Sequence, residues 1–267
     1  MKHLDQIKAF LPSLVKEAGK IILSAHDQGS DSAISSKEGS ANFVTVYDVQ
    51  VQSFLMQRIK EEIPSATFIA EEKDNDSSAL DAECCFVIDP IDGTTNFIHD
   101  YRHSCISLAV FSRGEPMLGV VYDPYLGEYF HAEKGKGAYL GDKRLCVSSF
   151  DLASAVVAYG TSPYYRSTLG DATFALAREL FDKTSDLRRC GSAALDLAYL
   201  AAGRNDAFFE MRLSPWDFAA GALLITEAGG KLTKLDGSPV SYAICQPILA
   251  SNGVLHDELV TITSKYN

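Results

Sequence analysis

The chain has 267 residues, of which 46% are hydrophobic and 22% are charged, and its formal net charge is −11 at pH 7. This length and composition are ordinary for a soluble globular protein, built either as one large domain or as two subdomains that share a cleft. The negative charge argues against nonspecific binding to nucleic acids or anionic membranes. A phosphorylated substrate stays compatible if cations neutralise its site.

The cysteine pattern and the N-terminal residues predict an intracellular protein. The six cysteines form no C-x-x-C pair and no zinc-ribbon spacing. Most have apolar neighbours in the sequence, so we expect buried free thiols in a reducing compartment. The N-terminal residues alternate charged and apolar side chains without a secretory h-region, and no run approaches the roughly 20 apolar residues that span a bilayer. A cytoplasmic protein without membrane contact is the expectation.

The first elements are predicted to be two helices. Apolar residues recur every three or four positions from Leu4 to Ala25, which predicts an amphipathic helix. Residues 37–48 predict an extended polar segment that leads into a second helix at about Asp48, whose apolar stripe ends before Pro64. At that position a plain N-cap and a functional carboxylate explain Asp48 equally well.

A short predicted strand, Thr67–Ala70, ends directly before two acidic residues, Glu71 and Glu72. Adjacent residues of an extended segment point to opposite sides, so these two carboxylates should not share one role.

The next predicted strand ends in the motif Asp89-Pro90-Ile91-Asp92-Gly93-Thr94. Two carboxylates at a strand end need compensating positive charge, and a divalent metal would supply it. The backbone amides of Gly93 and Thr94 could then face a phosphate. A surface turn is the alternative, because Asp, Pro, Gly and Thr are common turn residues.

Residues 105–145 predict a β-meander, with turns at Arg113-Gly114 and Gly141-Asp142. His99 and His103 lie four residues apart, but the strand pattern that follows argues against a helix there, so we predict no zinc pair.

The second half of the chain alternates strands and helices, which predicts an α/β half packed on an α+β half. The predicted elements are a strand at Ala155–Tyr159, a helix at Thr173–Phe181, a helix at Leu195–Ala202 that follows Gly191-Ser192-Ala193, a strand that ends in Glu210, a helix at Phe218–Ala228 opened by Asp217, and a last helix from His256.

The acidic residues share one placement: each lies where a predicted element begins or ends. These residues are Glu71, Asp89, Asp92, Glu210 and Asp217. Such ends converge on clefts in α/β proteins. Because the donors are all hard oxygens with no Cys or His among them, they favour Mg²⁺ or Mn²⁺ over Zn²⁺.

Three of these motifs resemble the signatures of the inositol monophosphatase family, within the Mg-dependent, lithium-sensitive phosphatase superfamily. They are Glu71-Glu72, Asp89 to Phe97, and Trp216 to Gly221. The likeness extends over nearly the whole chain. It implies the layered α-β-α-β-α sandwich of the inositol monophosphatase and fructose-1,6-bisphosphatase type, with α+β and α/β parts. We expect a single domain over 1–267, with approximate subdomains 1–150 and 151–267 that share the cleft, and a homodimer.

The resemblance also implies a role for each candidate site residue. The metal ligands would be Glu71, Asp89 and the Ile91 carbonyl for one ion, and Asp89, Asp92 and Asp217 for a second. Two or three Mg²⁺ ions would bind, with Mn²⁺ as a substitute. The candidate catalytic residues are Glu71 and Thr94, which would orient the attacking water, Asp48, which would support Thr94, and Glu72 of the same signature.

The same resemblance places the substrate. Amides of Gly93 and Thr94 would hold its phosphate. The residues facing the substrate's hydroxyls would be Gly191, Ser192, Ala193 and Glu210, together with Asp92 and Asp217. A carboxylate such as Glu210 suits a polyol because it accepts two hydroxyl hydrogen bonds.

The predicted activity is Mg²⁺-dependent hydrolysis of a phosphate monoester by a metal-activated water. Nucleotide phosphatases of the superfamily typically carry Lys-Glu where this chain has Thr95-Asn96. That difference favours myo-inositol 1-phosphate. Fructose 1,6-bisphosphate, histidinol phosphate, a nucleotide 3′-phosphate and NADP stay open as substrates.

Two other functions compete with this prediction. Haloacid dehalogenase-type phosphatases need D-x-D-G-T with a nucleophilic first Asp, whereas this chain has D-x-x-D-G-T. A non-catalytic regulatory protein on the phosphatase scaffold is the second alternative. Retention of every expected metal ligand argues against it.

Overall fold

The computed structural model of the protein describes residues 3–27, 34–38 and 42–266, with side-chain placement for 3–25 and 45–266. Part of the extended segment predicted at residues 37–48 therefore lies outside the described residues. The parts that are described form two paired antiparallel strands, β1 (Ile34–Glu38) and β2 (Asn42–Thr45).

The helices and strands are bounded as follows. The helices are α1 (Leu4–Asp27), α2 (Val46–Glu62), α3 (Thr94–Ile98), α4 (Arg166–Phe181), α5 (Ala193–Ala201), α6 (Pro215–Glu227) and α7 (His256–Thr263). The remaining strands are β3 (Thr67–Ala70), β4 (Cys85–Asp92), β5 (Cys105–Ser112), β6 (Glu115–Asp123), β7 (Glu128–Glu133), β8 (Gly137–Leu140), β9 (Lys143–Arg144), β10 (Val156–Tyr159), β11 (Asp186–Arg188), β12 (Ala207–Leu213), β13 (Lys231–Thr233) and β14 (Gln246–Ser251).

The strands form two large sheets with helices packed between and outside them. A seven-stranded sheet has the order β3-β4-β5-β6-β7-β8-β9, and a five-stranded sheet has the order β11-β10-β12-β14-β13. Helices α1 and α2 cover the outer face of the first sheet, α5 and α6 lie between the sheets, and α4 and α7 cover the second. This arrangement confirms the predicted α-β-α-β-α sandwich.

Alternation of side chains explains why the central strands are apolar at nearly every position. On β4, Phe86 and Ile88 pack toward α1 and α2, whereas Cys85 and Val87 pack toward α5 and α6. Successive residues of a strand point to opposite faces, so a strand covered on both faces has no solvent side. The carboxylates that follow such a strand therefore begin inside the protein.

Most predicted elements are confirmed, and three of the corrections concern α4, α2 and β12. The first concerns α4, which begins at Arg166 rather than Thr173, after a 3₁₀ turn at Pro163–Tyr165. The second concerns Asp48, which is the third residue of α2, whereas Thr45 is the N-cap. The third concerns β12, which continues to Leu213, so Glu210 lies inside a strand rather than at its end.

The cysteine prediction is half right. All six thiols are free, and Cys84, Cys85 and Cys105 are buried, but Cys146 and Cys245 are exposed and Cys190 is half-buried. Cys146, Cys190 and Cys245 lie in the segments between strands and helices, where apolar neighbours in the sequence do not by themselves bury a side chain. Among the described residues, no helix has both the length and the apolarity needed to cross a bilayer.

A close approach of α6 to β6 gives a stability prediction. A Cβ at Gly119 would lie 2.7 Å from the Ala220 carbonyl oxygen. We expect Gly119→Ala to destabilise the protein by about 1–3 kcal/mol, because a packed interior relaxes only partly around added volume. Urea denaturation should show a lower midpoint.

Gly170→Ala is the matched control, because the added methyl meets no atom within 4 Å and lies inside α4. It should leave stability unchanged or raise it by up to about 1 kcal/mol. Equal midpoints for the two variants would contradict the proposed contact.

Candidate active site

A cavity of about 340 Å³ opens where the two large sheets meet. Its walls come from the end of β3, the β4–α3 junction, and the N-termini of α5 and α6. Nearly all the sequence-predicted residues line it: Glu71, Asp89, Ile91, Asp92, Gly93, Thr94, Gly191, Ser192, Ala193, Glu210 and Asp217. The described structure thus brings residues that are far apart in the chain to one place.

An irregularity in β4 turns two carboxylates to the same side. Asp89 pairs with Ser107 and Asp92 pairs with Cys105, so three steps on β4 match two on β5. In a regular strand, residues three apart would face opposite sides of the sheet. Here the extra residue lets both line the cavity, and Asp89 Oδ1 accepts a hydrogen bond from the Ile91 amide at 3.0 Å. The strand therefore continues through the motif, where sequence reasoning ended it at Asp89.

Three carboxylates form a compact cluster. Asp89, Asp92 and Asp217 each offer an oxygen within 4.8 Å of the others. Asp217 is held in the first turn of α6, where its Oδ2 accepts a hydrogen bond from the Ser214 amide at 2.7 Å. Glu71 follows β3, and its amide donates to the Ile88 carbonyl at 3.2 Å, which fixes the backbone of Glu71 beside the end of β4.

Burial and mutual repulsion shift the pKa values of these acids upward. The pKa of Asp89 lies well above its ordinary value, first because of burial and then because of the charges on Glu71, Asp92 and Asp217. The pKa of Asp217 is raised well above its usual range for the same reasons. Burial raises the pKa of Asp92 to about 6, although hydrogen bonds from Ser192 and Ala194 oppose the shift.

The cluster has the chemistry of a magnesium site. Buried carboxylates that repel one another are stabilised as anions by a cation, and these donors are all hard oxygens. The Ile91 backbone lines the same cavity. The residues present therefore fit Mg²⁺ or Mn²⁺.

Thr94 is hydrogen-bonded to a buried acid, Asp48, behind the cavity wall. Its hydroxyl lies 3.3 Å from Asp48 Oδ1 and 3.2 Å from the Ile91 carbonyl oxygen. The other Asp48 oxygen, Oδ2, accepts hydrogen bonds from the Thr45 amide at 2.7 Å and the Thr45 hydroxyl at 2.6 Å. Asp48 is fully buried and does not line the cavity, but its hydrogen bond with Thr94 links it to the cavity wall and its charge contributes to the raised pKa of Asp89.

The N-terminus of α5 holds Asp92 from the other side. Ser192 Oγ donates to Asp92 Oδ2 at 2.5 Å, and the Ala194 amide donates to the same oxygen at 2.8 Å. Gly93 and Gly191 are both in the left-handed region, with φ of +91° and +90°, and a Cβ on Gly93 would lie 3.1 Å from the Gly191 carbonyl oxygen. The β4–α3 junction and the segment before α5 therefore come into contact at these two glycines, and a side chain at either position would push them apart.

Glu210 enters the cavity from the interior of β12. The pairing of β12 with β14 is irregular between Glu210 and Leu213. Glu210 Oε1 accepts hydrogen bonds from the Ser162 amide at 2.8 Å and the Ser162 hydroxyl at 3.1 Å. Burial raises the pKa of Glu210 to about 7. Gly160 makes room for this carboxylate, because a Cβ there would lie within 1.9 Å of Oε2.

Two predicted residues, Asp48 and Glu72, do not line the cavity, and several cavity residues were not predicted. Glu72 is not among the cavity-lining residues, and its amide donates to Gln52 Oε1 at 2.8 Å. The cavity residues that the sequence did not single out include Ser162, Tyr164, Arg189, Asp196 and Arg212. Only Asp196 had a usable signal, because it is an acid inside the apolar run of α5. The others are brought in by tertiary contacts.

The comparisons with known proteins agree with this geometry. Residues 3–267 match the inositol monophosphatase family. The chain is 40% identical over 238 residues to Nus factor SuhB of Escherichia coli strain K12, which covers 89% of this chain and 88% of the relative. The chain belongs to the inositol monophosphatase family. Another member, the inositol-1-monophosphatase of Bacillus subtilis strain 168, is 33% identical over 258 residues, 96% of either chain.

Solved structures of inositol monophosphatases share this fold. An IMPase from Thermotoga maritima superposes with a TM-score of 0.87 at 33% identity, covering 100% of this chain and 98% of that one. An IMPase/NADP phosphatase complexed with Mg²⁺ and phosphate has a TM-score of 0.87 at 27% identity, covering 97% and 95%. These matches confirm the family architecture predicted from the sequence.

The raised pKa values predict how the metal-free protein responds to pH. Folding raises the pKa of Asp92 from 3.8 to about 6 and that of Glu210 from 4.5 to about 7. The folded state then binds more protons than the unfolded state, so stability is greatest at low pH and falls as pH rises through 6 and 7. Each pKa unit corresponds to about 1.4 kcal/mol.

Thermal melts of EDTA-treated protein should therefore give a lower Tm at pH 8 than at pH 5.5, and Mg²⁺ should reduce the difference by the part that comes from the metal ligands. Asp92→Asn should weaken the pH dependence, whereas Asp142→Asn, at an exposed turn, should retain it. A metal-free Tm that does not change with pH would contradict the assignment.

Proposed function

We propose that the chain is a Mg²⁺-dependent phosphatase that hydrolyses a small phosphate monoester, with myo-inositol 1-phosphate as the expected substrate. The observation that carries this proposal is the cluster of Asp89, Asp92 and Asp217 in a cavity that Gly93 and Thr94 also line. Membership of the family supports phosphatase chemistry. The relative complexed with Mg²⁺ and phosphate supports the metal.

The proposed metal ligands are the carboxylates of Glu71, Asp89, Asp92 and Asp217 and the carbonyl of Ile91, with two or three Mg²⁺ ions and Mn²⁺ as a substitute. Bound Mg²⁺ would supply Lewis-acid polarisation of the phosphoryl oxygens and a nucleophilic water. The chain's own part is to keep four carboxylates ionised together and aimed at one cavity. Asp89 is best placed to be shared between ions, because it is buried and the charges of four neighbouring acids raise its pKa further.

Thr94 and Asp48 are proposed to orient the attacking water together. The Thr45 capping bonds occupy Asp48 Oδ2, so Oδ1 is the oxygen that accepts a hydrogen bond from the Thr94 hydroxyl. A threonine hydroxyl that donates its hydrogen to Asp48 still has lone pairs that can accept a hydrogen bond from a water in the cavity. Glu71 lines the same cavity and is the proposed base. Glu72 remains a candidate from the sequence motif alone, since it does not line the cavity.

We propose that different residues bind the phosphate group and the alcohol part of the substrate. The amides of Gly93 and Thr94 would bind phosphate. Glu210, fixed by Ser162, would accept hydroxyl hydrogen bonds, with Gly191, Ser192 and Ala193 forming the adjacent wall. A carboxylate held in one orientation favours a polyol, because two hydroxyl groups can donate to it.

The remaining expectations from the sequence are carried as proposals. The cavity would be shared by subdomains 1–150 and 151–267, and the protein would be a cytoplasmic homodimer. Its partner would be a small phosphorylated substrate, with no nucleic acid or membrane, which the net charge of −11 supports.

A second candidate function is a non-catalytic regulatory role. The relative from Escherichia coli is named Nus factor SuhB and is 40% identical to this chain. The two candidates differ in whether phosphate release depends on the carboxylate cluster.

A change in the cluster separates them. Asp217→Asn keeps an acceptor for the Ser214 amide but removes one ligand charge. We expect kcat/KM for myo-inositol 1-phosphate at millimolar Mg²⁺ to fall more than about 100-fold, since loss of even an outer hydrogen-bond partner of a metal site costs 10–100-fold. Asp257→Asn, with a 92% exposed side chain on α7, is the control and should retain full activity.

The same phosphate-release assay should include fructose 1,6-bisphosphate, histidinol phosphate, adenosine 3′,5′-bisphosphate and NADP. Absence of release from every substrate by the folded, unaltered protein would exclude the phosphatase and favour the regulatory role.

A change at Glu210 tests the polyol proposal. Glu210→Gln should lower kcat/KM for myo-inositol 1-phosphate about 10-fold or more, because hydrogen bonds to a charged group contribute about 1.5–3 kcal/mol. Phenyl phosphate, which offers no hydroxyl groups on its alcohol side, is the matched substrate and should change less than about twofold. An equal fall in kcat/KM for both substrates would show that Glu210 does not bind the hydroxyl groups of the alcohol part.

A further inference from the structure

A second group of potential metal ligands lies beside the carboxylate cluster. His103 precedes β5, Cys190 precedes the N-cap of α5, and Asp196 lies in the first turns of α5. One ligand atom from each lies within 4.8 Å of the other two. The sequence paired His103 with His99, but His99 follows the last residue of the short helix α3 and Asp100 and Arg102 have positive φ, so that pair is not on a helix.

The proposed phosphatase chemistry does not use these three side chains. His103 Nε2 is buried and finds no hydrogen-bond partner among the described residues. A buried polar nitrogen without a partner costs free energy, and such a group in a native protein calls for an unseen ligand, water or ion. Asp196 is 2% exposed, and its pKa is well above the usual range because of burial and the charges of Asp92 and Glu210.

The scaffold holds two of the ligands at a fixed separation. Asn96 Nδ2 donates to the His103 carbonyl at 2.7 Å and to the Cys190 carbonyl at 2.8 Å. The His103 ring also packs edge-on against Tyr199, at 6.0 Å between centroids, one turn along α5 from Asp196. One amide and one aromatic ring thus position the imidazole and the thiol around the Asp196 carboxylate.

The donor set differs in kind from the carboxylate cluster. An imidazole, a thiol and a carboxylate are typical ligands of zinc, whereas Mg²⁺ prefers oxygen alone. Ligands of a tetrahedral zinc lie roughly 3.3–3.8 Å apart for bonds of about 2.0–2.3 Å. Because the three ligand atoms lie within 4.8 Å of one another, a contraction of at most about 1.5 Å would close the site. Three protein ligands leave a fourth position for solvent.

We propose that His103, Cys190 and Asp196 form a transition-metal site of the zinc class, separate from the carboxylate cluster. Binding forms a metal–sulfur bond and releases the thiol proton to solvent. Without metal, Cys190 is a thiol, because burial and then the Asp196 carboxylate raise its pKa to about 11. The proposal goes beyond the phosphatase activity and does not depend on it.

A metal at this site would also affect the cavity. Asp196 lines the cavity, and Cys190 is joined directly to Gly191, which forms part of the proposed substrate wall. A metal held by Cys190 and Asp196 would place positive charge and bulk at that wall. We therefore expect zinc to inhibit the enzyme through this site.

Cobalt binding provides the test, because only a thiolate ligand gives Co²⁺ an intense sulfur-to-metal absorption band in the near ultraviolet. The chain is saturated with Mg²⁺ to occupy the oxygen cluster and titrated with Co²⁺. The expected result is a band that saturates at one Co²⁺ per chain and is displaced by Zn²⁺. Cys190→Ser should abolish it. His103→Gln should keep the sulfur band but weaken Co²⁺ binding more than about 10-fold.

Two other cysteines provide matched controls. Cys146→Ser and Cys245→Ser change exposed thiols and should leave the band intact. Absence of the band in the folded, unaltered protein would overturn the proposal. So would a band that persists in Cys190→Ser, that disappears in Cys245→Ser, or that His103→Gln leaves at full affinity. Because the readout is absorption rather than activity, these outcomes are independent of whether the phosphatase proposal holds.

Discussion

Repulsion among buried carboxylates is the constraint on which the site depends. Asp89, Asp92 and Asp217 have oxygens within 4.8 Å of one another inside the protein. Two like charges 4 Å apart cost about 4 kcal/mol at an effective dielectric constant of 20. A fold can hold several such pairs only if its packing is rigid, and here five layers with apolar strand faces on both sides supply that rigidity.

Helix N-termini compensate part of this charge. Asp48 and Asp217 lie in the first turns of α2 and α6 and close capping boxes with Thr45 and Ser214, while Asp92 accepts from the first turn of α5. The N-terminus of a helix carries partial positive charge, so each placement favours the ionised acid. The hydrogen bonds that cap these helices therefore also position the acids of the site. For this reason the sequence alone fits Asp48 equally well as a helix-capping residue and as a functional carboxylate.

The layered fold and the substrate wall were predicted from the resemblance of three motifs to the family. Glu71 and Asp89 could be placed from the residues themselves, because acids after apolar runs mark element ends. The directions of individual side chains could not be predicted in this way. Asp92 reaches the cavity through an irregular strand pairing, and Glu210 lies inside β12, so neither direction follows from periodicity. Ser162 and Asp196 contribute through contacts between segments distant in the chain, which local patterns do not encode.

Hydrogen bonds between the two halves of the chain bear on how the cavity could open. Asn96 donates to the Cys190 carbonyl, Ser192 donates to Asp92, and Ser107 Oγ donates to the Trp216 carbonyl at 3.0 Å. All three join residues before 150 to residues after it, and two of them include residues that line the cavity. A hinge motion between the halves would break them together and dismantle the carboxylate cluster. These bonds therefore oppose a parting of the cavity walls and leave the mouth of the cavity as the route for a ligand.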